Sequence, residues 1–302
     1  MQAIWKVNMK SGFISIIGKT NAGKSTLINL ITKNKISICT PKPQTTRNSI
    51  QGIYNDKDSQ IVFIDTPGFL SPHQKLDEYM NKQAFSSLNG IDGVILLVDA
   101  GVPFNKEKDS VIQKNLKTLD VPLFIVFNKI DLTNIYLVNN LKKEYLQMFP
   151  NSQIIEISAM KDVNVDLLLN KIKDILPEGF KFYPDDIKSD HPVSFLISEI
   201  IREKILLFTR DEVPHSCAVK VEKMVKNNNS ISINATIICE RSSQKVIIIG
   251  KQGSMLKRIG IAARKDIEKL LNKKINLETF VRVEERWRNN ETYLKEFGYK
   301  DE

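Results

Sequence analysis

The stretch "FISIIGKTNAGKSTLINL", residues 13–30, runs from apolar residues through a glycine-bounded loop into a helical pattern. The loop fits G-x-x-x-x-G-K-[S/T], and it lies between a predicted strand and a predicted helix, as this phosphate-binding motif requires. Its glycines let backbone N–H groups converge on phosphate, and the helix N-terminus adds partial positive charge. The sequence therefore predicts a nucleoside triphosphate site. The binding residues predicted from it are Gly18, Lys19, Thr20, Asn21, Ala22, Gly23, Lys24, Ser25 and Thr26.

Two side chains of this loop have specific predicted roles. We expect Lys24 to reach the β- and γ-phosphates and the Ser25 hydroxyl to bind Mg²⁺. The alternative is a tight strand-to-helix turn that contains glycine for steric reasons alone. The motifs further along the chain argue against that alternative.

The stretch Asp65-Thr66-Pro67-Gly68 ends the next long apolar run. We expect the Asp65 carboxylate to hold Mg²⁺ through water and the Gly68 N–H to contact the γ-phosphate. Thr66 and Pro67 complete the nucleotide contacts predicted for this motif.

Two later motifs predict which base is bound. In "NKID", residues 128–131, a carboxylate can accept hydrogen bonds from both N1–H and N2–H₂ of guanine, a donor pair that adenine lacks. Asp131 is thus the predicted specificity residue, with Asn128 and Lys129 beside it. Ser158 and Ala159 follow the last strand and place a backbone N–H near guanine O6. Four motifs in this order predict GTP binding and argue against an ATP-using metabolic enzyme.

The pattern around these motifs predicts the fold. Residues 11–176 alternate Val- and Ile-rich runs with helical patterns such as residues 105–119 and 138–148. This order predicts an α/β GTP-binding domain with a mostly parallel sheet, helices on both faces and ligands at the carboxyl ends of the strands. Residues 177–192, dense in Pro, Gly and Asp, are predicted to be a linker.

Residues 193–298 show a different pattern and are predicted to form a second domain. A helix is predicted at residues 193–210, and two strands at residues 217–225 and 231–240 flank the turn "KNNNS". Further helices and a last strand follow. The order of elements indicates an α+β domain.

The motif spacing and the stretch "PQTTRNSIQGI", residues 43–53, resemble the Era-type GTPases. The likeness continues through "SEIIREKIL", "EVPHSCAVKVE", "ERSSQKVIIIGKQGSMLKRIGIAARKDIE" and "FVRVEERWR", so it covers about residues 11–298. It implies GTP hydrolysis and a C-terminal type II KH domain that binds RNA. It also implies that Thr46, with Thr45 as the alternative, is the switch threonine that closes over Mg²⁺ and γ-phosphate. The catalytic residues it implies are Lys24, Asn21, Thr46 and Gly68.

The late glycine loop, residues 250–253, is not a second phosphate loop, because two residues rather than four separate its glycines and no Lys-Ser/Thr follows. It fits the GxxG loop of a KH domain, which clamps about four nucleotides of single-stranded nucleic acid.

Residues 241–274 contain ten Lys and Arg side chains and two acidic ones, although a solvated basic helix face would show the same charge. The resemblance implies a short helix at "QKVIIIG", where the apolar run alone suggests a strand. The predicted RNA contacts are Gly250, Lys251, Gln252, Gly253, Lys257 and Arg258.

The GTP motifs do not include the catalytic glutamine of many small GTPases. Many small GTPases place a glutamine directly after DxxG to orient the attacking water, and Phe69 stands at that position here. The resemblance suggests that Asn21 helps to bind K⁺, whose charge would act where an arginine finger otherwise acts. We therefore expect slow intrinsic turnover.

Bulk composition limits the choice of partners. The chain has 302 residues and a formal net charge of +9, which favours nucleic acid or an anionic membrane surface. Its three cysteines lack metal-ligand spacing, and no apolar run reaches the roughly 18–20 residues that span a bilayer. The start of the chain lacks a signal-peptide pattern, so we expect the protein to be cytoplasmic. We also expect it to be a monomer.

The resemblance implies one partner in particular, the 3′ end of the small-subunit (30S) ribosomal RNA, and a role in the assembly of that subunit. The alternative is a GTP-regulated protein that associates peripherally with the inner membrane through its basic surface. The GxxG loop favours RNA, because lipid needs only diffuse charge.

Overall fold

The structure is a computed structural model that describes residues 9–68, 72–105, 112–114 and 116–299. The chain divides into two compact units. The first comprises Met1–Ile36, Thr46–Leu70 and Asn81–Asp190, and the second comprises Ser37–Thr45, Ser71–Met80 and His191–Glu302. Two short segments from the first half of the chain, residues 37–45 and 71–80, thus belong to the second unit.

The first unit is built on one sheet. Its strands are β1 (Met9–Ile17), β2 (Ile50–Asn55), β3 (Ser59–Asp65), β4 (Gly93–Asp99), β5 (Leu123–Asn128), β6 (Gln153–Glu156) and β7 (Glu178–Gly179). The strand order is β2-β3-β1-β4-β5-β6, with β7 paired to β1. The pairs β1–β3, β1–β4, β4–β5 and β5–β6 are parallel, whereas β2–β3 and β1–β7 are antiparallel.

Helices cover both faces of this sheet. Among the described residues between 24 and 175, the α-helices with assigned bounds are α1 (Lys24–Thr32), α2 (Lys75–Ser86), α3 (Ile135–Met148) and α4 (Val165–Ile175). Successive β4 residues point into two separate cores, since Ile95 packs with one set of helices and Leu96 with another. The first core includes α1 and α4, and the second includes α3. The predicted fold class of this domain is therefore confirmed.

One predicted helix of this unit needs correction, and one strand was not predicted. The helix predicted at residues 138–148 begins earlier, at Ile135, because the Asn134 side chain caps it by accepting the Leu137 N–H at 3.0 Å. Strand β2 was not predicted, since "IQGIYN" mixes polar residues and glycine into a short edge strand. The helix predicted at residues 105–119 lies partly outside the described residues.

The second unit is an α+β domain. Its elements are α5 (Val193–Phe208), β8 (Ala218–Lys226), β9 (Ser230–Cys239), α6 (Ser242–Ile249), α7 (Ser254–Leu271), β10 (Lys274–Val283) and α8 (Glu291–Glu296). The three strands form a sheet in the order β10-β9-β8, in which β8 and β9 are antiparallel and β9 and β10 are parallel. An isoleucine-rich core joins one face of the sheet to three helices.

This order of elements is that of the KH domain that the resemblance implies, so the second fold prediction is also confirmed. Helix α6 forms where apolar run length alone suggests a strand. The helix predicted at residues 193–210 ends at Phe208, because Thr209 has extended backbone angles. The two predicted strands are each displaced by one residue.

The segment predicted as a linker, residues 177–192, is hydrogen-bonded to the first unit at several points along its length. Strand β7 pairs with β1, and the buried Gln60 side chain accepts hydrogen bonds from the backbone N–H groups of Phe182 and Tyr183 at 2.6 and 2.9 Å. Further along, Ile53 donates its N–H to the Lys188 carbonyl at 3.1 Å. The exact domain boundaries stay a prediction.

Among the residues that the structure describes, no helix is both long enough and apolar enough to cross a bilayer.

Candidate nucleotide site and nucleic-acid interface

The phosphate loop connects β1 to α1, as its sequence context predicts. Gly23 has a φ of 99° in the left-handed region, and a Cβ there would come within 2.3 Å of Asn128 Nδ2. Only glycine satisfies both conditions. The loop can therefore press against the strand end that carries the base-recognition motif.

Lys24 is the buried cation of the loop. Its Nζ donates to the carbonyl oxygens of Gly18 and Lys19, each at 3.0 Å. Burial lowers the pKa of Lys24 to about 8, and the nearby Asp65 carboxylate opposes part of that shift. A polyphosphate bound here would supply the negative charge that favours the protonated form.

Three oxygen-bearing side chains meet beside the loop. Ser25 Oγ lies 2.8 Å from Asp65 Oδ2 and 3.0 Å from Thr46 Oγ1, and Thr46 Oγ1 lies 3.5 Å from the same carboxylate oxygen. Hydroxyl and carboxylate oxygens are the hard ligands that Mg²⁺ prefers, and it usually keeps several waters as well. The three predicted metal ligands are thus brought together, and their chemistry fits Mg²⁺.

The neighbouring threonine faces elsewhere. Thr45 Oγ1 lies 2.7 Å from Thr40 Oγ1 and donates to the Lys42 carbonyl at 2.7 Å. Of the two threonines that the resemblance left open, Thr46 is the one beside the predicted metal ligands.

The DxxG motif approaches the phosphate loop at its glycine. A Cβ on Gly68 would come within 2.8 Å of Thr20 Cγ2 and 3.0 Å of Thr20 N. The Thr66 hydroxyl donates to the Ile16 carbonyl at 2.9 Å and thereby fixes the motif to β1. Phe69, the residue at the usual glutamine position, lies outside the described residues.

Asn128 holds two loops of the site together. Its Nδ2 donates to the Ala22 carbonyl at 2.8 Å, and its Oδ1 accepts the Ala159 N–H at 2.9 Å. The phosphate loop and the loop after β6 are thus fixed to the end of β5 by one buried side chain.

Lys129 makes a similar bridge on the outer side. Its Nζ donates to the Asn21 carbonyl at 2.7 Å and forms an ion pair with Asp99 Oδ2 at 2.6 Å. Sequence reasoning missed Asp99. The position of Asp99 could have indicated a role in the site, because it ends β4 at the same sheet edge as the other motifs.

The predicted base-recognition residues lie in the loops that follow β5 and β6. Asp131 is exposed in a short turn of 3-10 helix, Ile130–Leu132, so its carboxylate is accessible to a base. Ser158 is buried, and its hydroxyl accepts the Lys161 N–H at 3.1 Å, which shapes the loop that presents the Ala159 N–H. All four motifs therefore meet at the carboxyl ends of the strands.

In the second unit, the GxxG loop separates α6 from α7. Lys251 and Gln252 at its tip are exposed, and Lys257 and Arg258 on the first turns of α7 are exposed as well. The Arg258 guanidinium lies 4.2 Å from the centroid of the Phe208 ring, so part of its charge is directed at that ring. Four of the predicted RNA residues are therefore exposed, and three of these four are basic.

A groove of about 390 Å³ lies between α7 and β10 beside this loop. Its lining includes Gly253, Lys257 and Arg264 from the helical side and Asn276 and Leu277 from the strand. Asn276 and Leu277 of β10 are not among the RNA contacts predicted from the sequence. The sequence of β10 gives little indication of a binding role, because strand residues of this kind occur in any half-buried sheet.

A buried charge cluster in the second unit was also missed. We call Glu199, Arg202, Glu203 and Lys204 of α5 together with Asp266 of α7 the α5 charge cluster. Arg202 binds Glu199 through Nε at 2.7 Å and through a second nitrogen at 2.5 Å. The four α5 side chains are buried, as charged side chains rarely are unless they are paired, whereas Asp266 is only partly buried.

Fold and site together define a P-loop GTPase that is followed by a KH domain. Comparison with known families agrees: residues 13–129 match the family described as "50S ribosome-binding GTPase", and residues 212–288 match the KH domain. The GTPase Era of Lacticaseibacillus paracasei is 48% identical over 293 residues, which cover 96% of each chain. This chain belongs to the Era family of GTPases.

Solved structures show the same relationship. An Era variant from Aquifex aeolicus, bound to GDP and AlF4⁻, is 38% identical with a TM-score of 0.93, covering 97% of this chain and all of that one. Era in complex with MgGDPNP and nucleotides 1506–1542 of 16S ribosomal RNA gives the same values. Both relatives hold a guanine nucleotide, as the motifs predict for this chain.

Proposed function

We propose that this GTPase binds the single-stranded 3′ end of small-subunit ribosomal RNA through its KH domain, under the control of the nucleotide, and thereby assists assembly of the 30S subunit. The observation that carries the proposal is the exposed GxxG loop beside the groove between α7 and β10. Such loops place backbone N–H groups close to the phosphates of about four nucleotides.

The groove has the chemistry that a single-stranded RNA needs. Lys257 and Arg264 are seven residues apart on α7, so they lie on one face of the helix, about two turns apart. Both can meet phosphates along one chain. Leu256 and Leu277 offer apolar surface to bases, and Asn276 offers hydrogen bonds to base edges.

The relative solved with a 16S ribosomal RNA fragment supports the choice of RNA. Its likeness extends over 97% of this chain, which includes the KH domain. A diffuse basic surface would equally suit an anionic membrane, but a shaped groove with hydrogen-bonding groups favours a ligand with bases. Cytoplasmic location, membrane contact and the monomeric state stay predictions from the sequence.

For the hydrolytic step, we propose that the chain's own residues hold the nucleotide and a monovalent cation. Lys24, Ser25, Thr46 and Asp65 would surround the β- and γ-phosphates with their metal. Asn21 is exposed at the tip of the phosphate loop in the left-handed conformation, with φ of 63°, and Lys129 fixes its carbonyl. That placement supports Asn21 as a ligand of K⁺, whose charge would favour the transition state.

Two measurements test the proposed partner. The first compares binding of the protein to a labelled RNA of nucleotides 1506–1542, to a scrambled RNA of equal length, and to vesicles that contain anionic lipid. We expect preference for the ribosomal sequence at matched ionic strength. The second crosslinks the protein to RNA in cells and sequences the bound fragments. Binding that is equal for scrambled RNA, or stronger for vesicles, would contradict the proposal.

A further inference from the structure

Asp99 is the last residue of β4, and its carboxylate contacts two loops at the carboxyl edge of the sheet. One oxygen, Oδ1, accepts the Gly101 N–H at 3.0 Å and shapes the turn that follows the strand. The other, Oδ2, pairs with the Lys129 ammonium at 2.6 Å. The two oxygens therefore have separate tasks, since one holds the residue's own turn and the other holds a residue of the base-recognition motif.

Lys129 is held between two partners. Among the described residues, its ammonium contacts the Asp99 carboxylate and the Asn21 carbonyl, the latter at 2.7 Å. Its backbone has a φ of 66°, in the left-handed region that residues with a Cβ adopt at an energetic cost. Such conformations persist where surrounding contacts fix them. Of the two contacts of the ammonium, the one with Asp99 joins opposite charges.

Backbone hydrogen bonds set the position of the Asp99 carboxylate. Asp99 and Asn128 are register partners in the parallel pair β4–β5. The Ala100 N–H donates to the Asn128 carbonyl at 2.9 Å, and the Thr133 hydroxyl donates to the Ala100 carbonyl at 3.2 Å. These bonds fix the turn after β4 to the loop that carries the base-recognition motif, so protein contacts alone place the carboxylate beside Lys129.

This arrangement has a consequence for nucleotide affinity. A lysine side chain has many rotamers, and fixing it when a ligand binds costs conformational entropy. The pair with Asp99 removes part of that cost, because it holds the Lys129 ammonium at the phosphate loop in advance. Preorganisation of this kind raises affinity, and differences in affinity are expressed mainly in the dissociation rate.

We propose that Asp99 is a positioning residue of the nucleotide site: it holds Lys129 against the phosphate loop and thereby slows the release of guanine nucleotide. Asp99 acts through Lys129 rather than through a contact of its own with the nucleotide. Every contact involved lies within the first unit, so RNA binding does not enter.

The test measures how fast the protein releases GDP. Full-length protein is loaded with fluorescently labelled GDP in the presence of Mg²⁺ and is then mixed with an excess of unlabelled GDP. Asp99→Asn keeps an oxygen that can accept the Gly101 N–H but removes the charge that holds Lys129. We therefore expect it to release GDP on the order of 10-fold faster than the unchanged protein. Asp99→Ala should be at least as fast, since it loses the turn as well.

A double variant separates positioning from a purely structural role. In a protein that already carries Lys129→Met, Asp99→Asn should change the release rate by less than about twofold, because its effect passes through the missing ammonium. Lys129→Met by itself should release GDP at least as fast as Asp99→Asn, since it loses the contacts with both Asp99 and Asn21.

Glu156→Gln is the matched control. Glu156 ends β6, as Asp99 ends β4, and it pairs with Lys142 of α3. The side chains of Lys142 and Glu156 are 30% and 26% exposed, against 30% and 21% for Lys129 and Asp99, so the two ion pairs are similarly solvated. Loss of the control pair should leave the release rate within about twofold of that of the unchanged protein.

Three results would overturn the proposal. If folded Asp99→Asn released GDP at the rate of the unchanged protein, the turn would be the only role of the carboxylate. If Asp99→Asn accelerated release equally with and without Lys129→Met, Asp99 would act without the lysine. An unchanged rate in Lys129→Met alone would show that the held ammonium does not retain the nucleotide, and this variant decides even where Asp99→Asn fails to fold.

Discussion

Asn128 donates a hydrogen bond from Nδ2 to the Ala22 carbonyl at 2.8 Å and so joins the base-recognition motif to the phosphate loop. The same side chain accepts the Ala159 N–H, which fixes a third loop. The nucleotide site is therefore held together by a residue whose functional groups are both engaged within the protein. Asn128 is better described as the support of the site than as a contact to the base.

That geometry predicts the effect of Asn128→Ala. Loss of two buried hydrogen bonds, each worth about 1 kcal/mol, and of the support they give should weaken GDP and GTP binding by on the order of 30-fold. Titration with a fluorescent guanine nucleotide measures the change. The matched control is Asn134→Ala, which removes the cap of α3 but no contact of the site. Equal nucleotide affinities in the two variants would show that the Asn128 side chain is not needed to hold the nucleotide site together.

Asp131→Asn tests the predicted base specificity. The exposed carboxylate can accept two donors from guanine, whereas an amide both donates and accepts, which matches xanthine. We expect GTP affinity to fall by on the order of 100-fold and XTP affinity to rise. Competition between the two nucleotides gives both numbers. An unchanged preference for GTP would remove Asp131 from the base pocket.

The lowered pKa of Lys24 predicts that the protein takes up a proton when it binds nucleotide. Its pKa of about 8 in the protein means that much of the population is neutral at pH 8.5, and bound phosphates should raise that pKa and draw a proton in. Affinity should therefore fall as pH rises above about 8 and be little affected below it. Calorimetry in buffers of different ionisation enthalpy measures the uptake.

We expect a larger proton uptake at pH 8.5 than at pH 7, because more of the free protein carries neutral Lys24 at the higher pH. Lys24→Ala should abolish both the uptake and the hydrolysis of GTP, and should weaken GTP more than GDP, since the charge is directed at the β- and γ-phosphates. Uptake that persists in Lys24→Ala would assign the proton to another group.

The cation hypothesis predicts faster hydrolysis in K⁺ than in Na⁺. A cage formed by Asn21, phosphate oxygens and backbone carbonyls would fit one ion size better. Single-turnover rates in KCl and NaCl at equal ionic strength keep screening constant. Asn21→Ala should remove the K⁺ advantage with little change in GTP affinity, because the backbone N–H groups of the loop remain. Identical rates in the two salts would end the hypothesis.

Local patterns were enough to predict the α/β fold of the first domain and to locate the four GTP motifs. Each motif is a short stretch after a strand, and parallel strands place their carboxyl ends at one edge, so sequence order alone brings Ser25 and Asp65 together. The KH fold was harder. The apolar run before the GxxG loop suggests a strand, and only the resemblance indicated helix α6.

Partners that are distant in sequence could not be predicted. The pairing of Lys129 with Asp99 and of Lys204 with Asp266 depends on how elements pack, and no spacing rule encodes it. Residues 37–45 illustrate the same limit, because they precede a nucleotide-site residue in the chain yet belong to the second unit.

The central claim is that the GxxG loop binds ribosomal RNA. Changing Lys251 and Gln252 to Asp puts negative charge where the loop approaches phosphate and keeps the glycines that shape it. The matched control changes Lys226 and Asn227, two exposed residues at the turn between β8 and β9, to Asp, which alters net charge equally.

The decisive measurement is the affinity of both variants for labelled RNA of nucleotides 1506–1542 in the GDPNP state. Our account predicts a loss on the order of 100-fold for the loop variant, a far smaller loss for the control, and unchanged GTP binding in both. Equal RNA affinity in the loop variant and the control would contradict it.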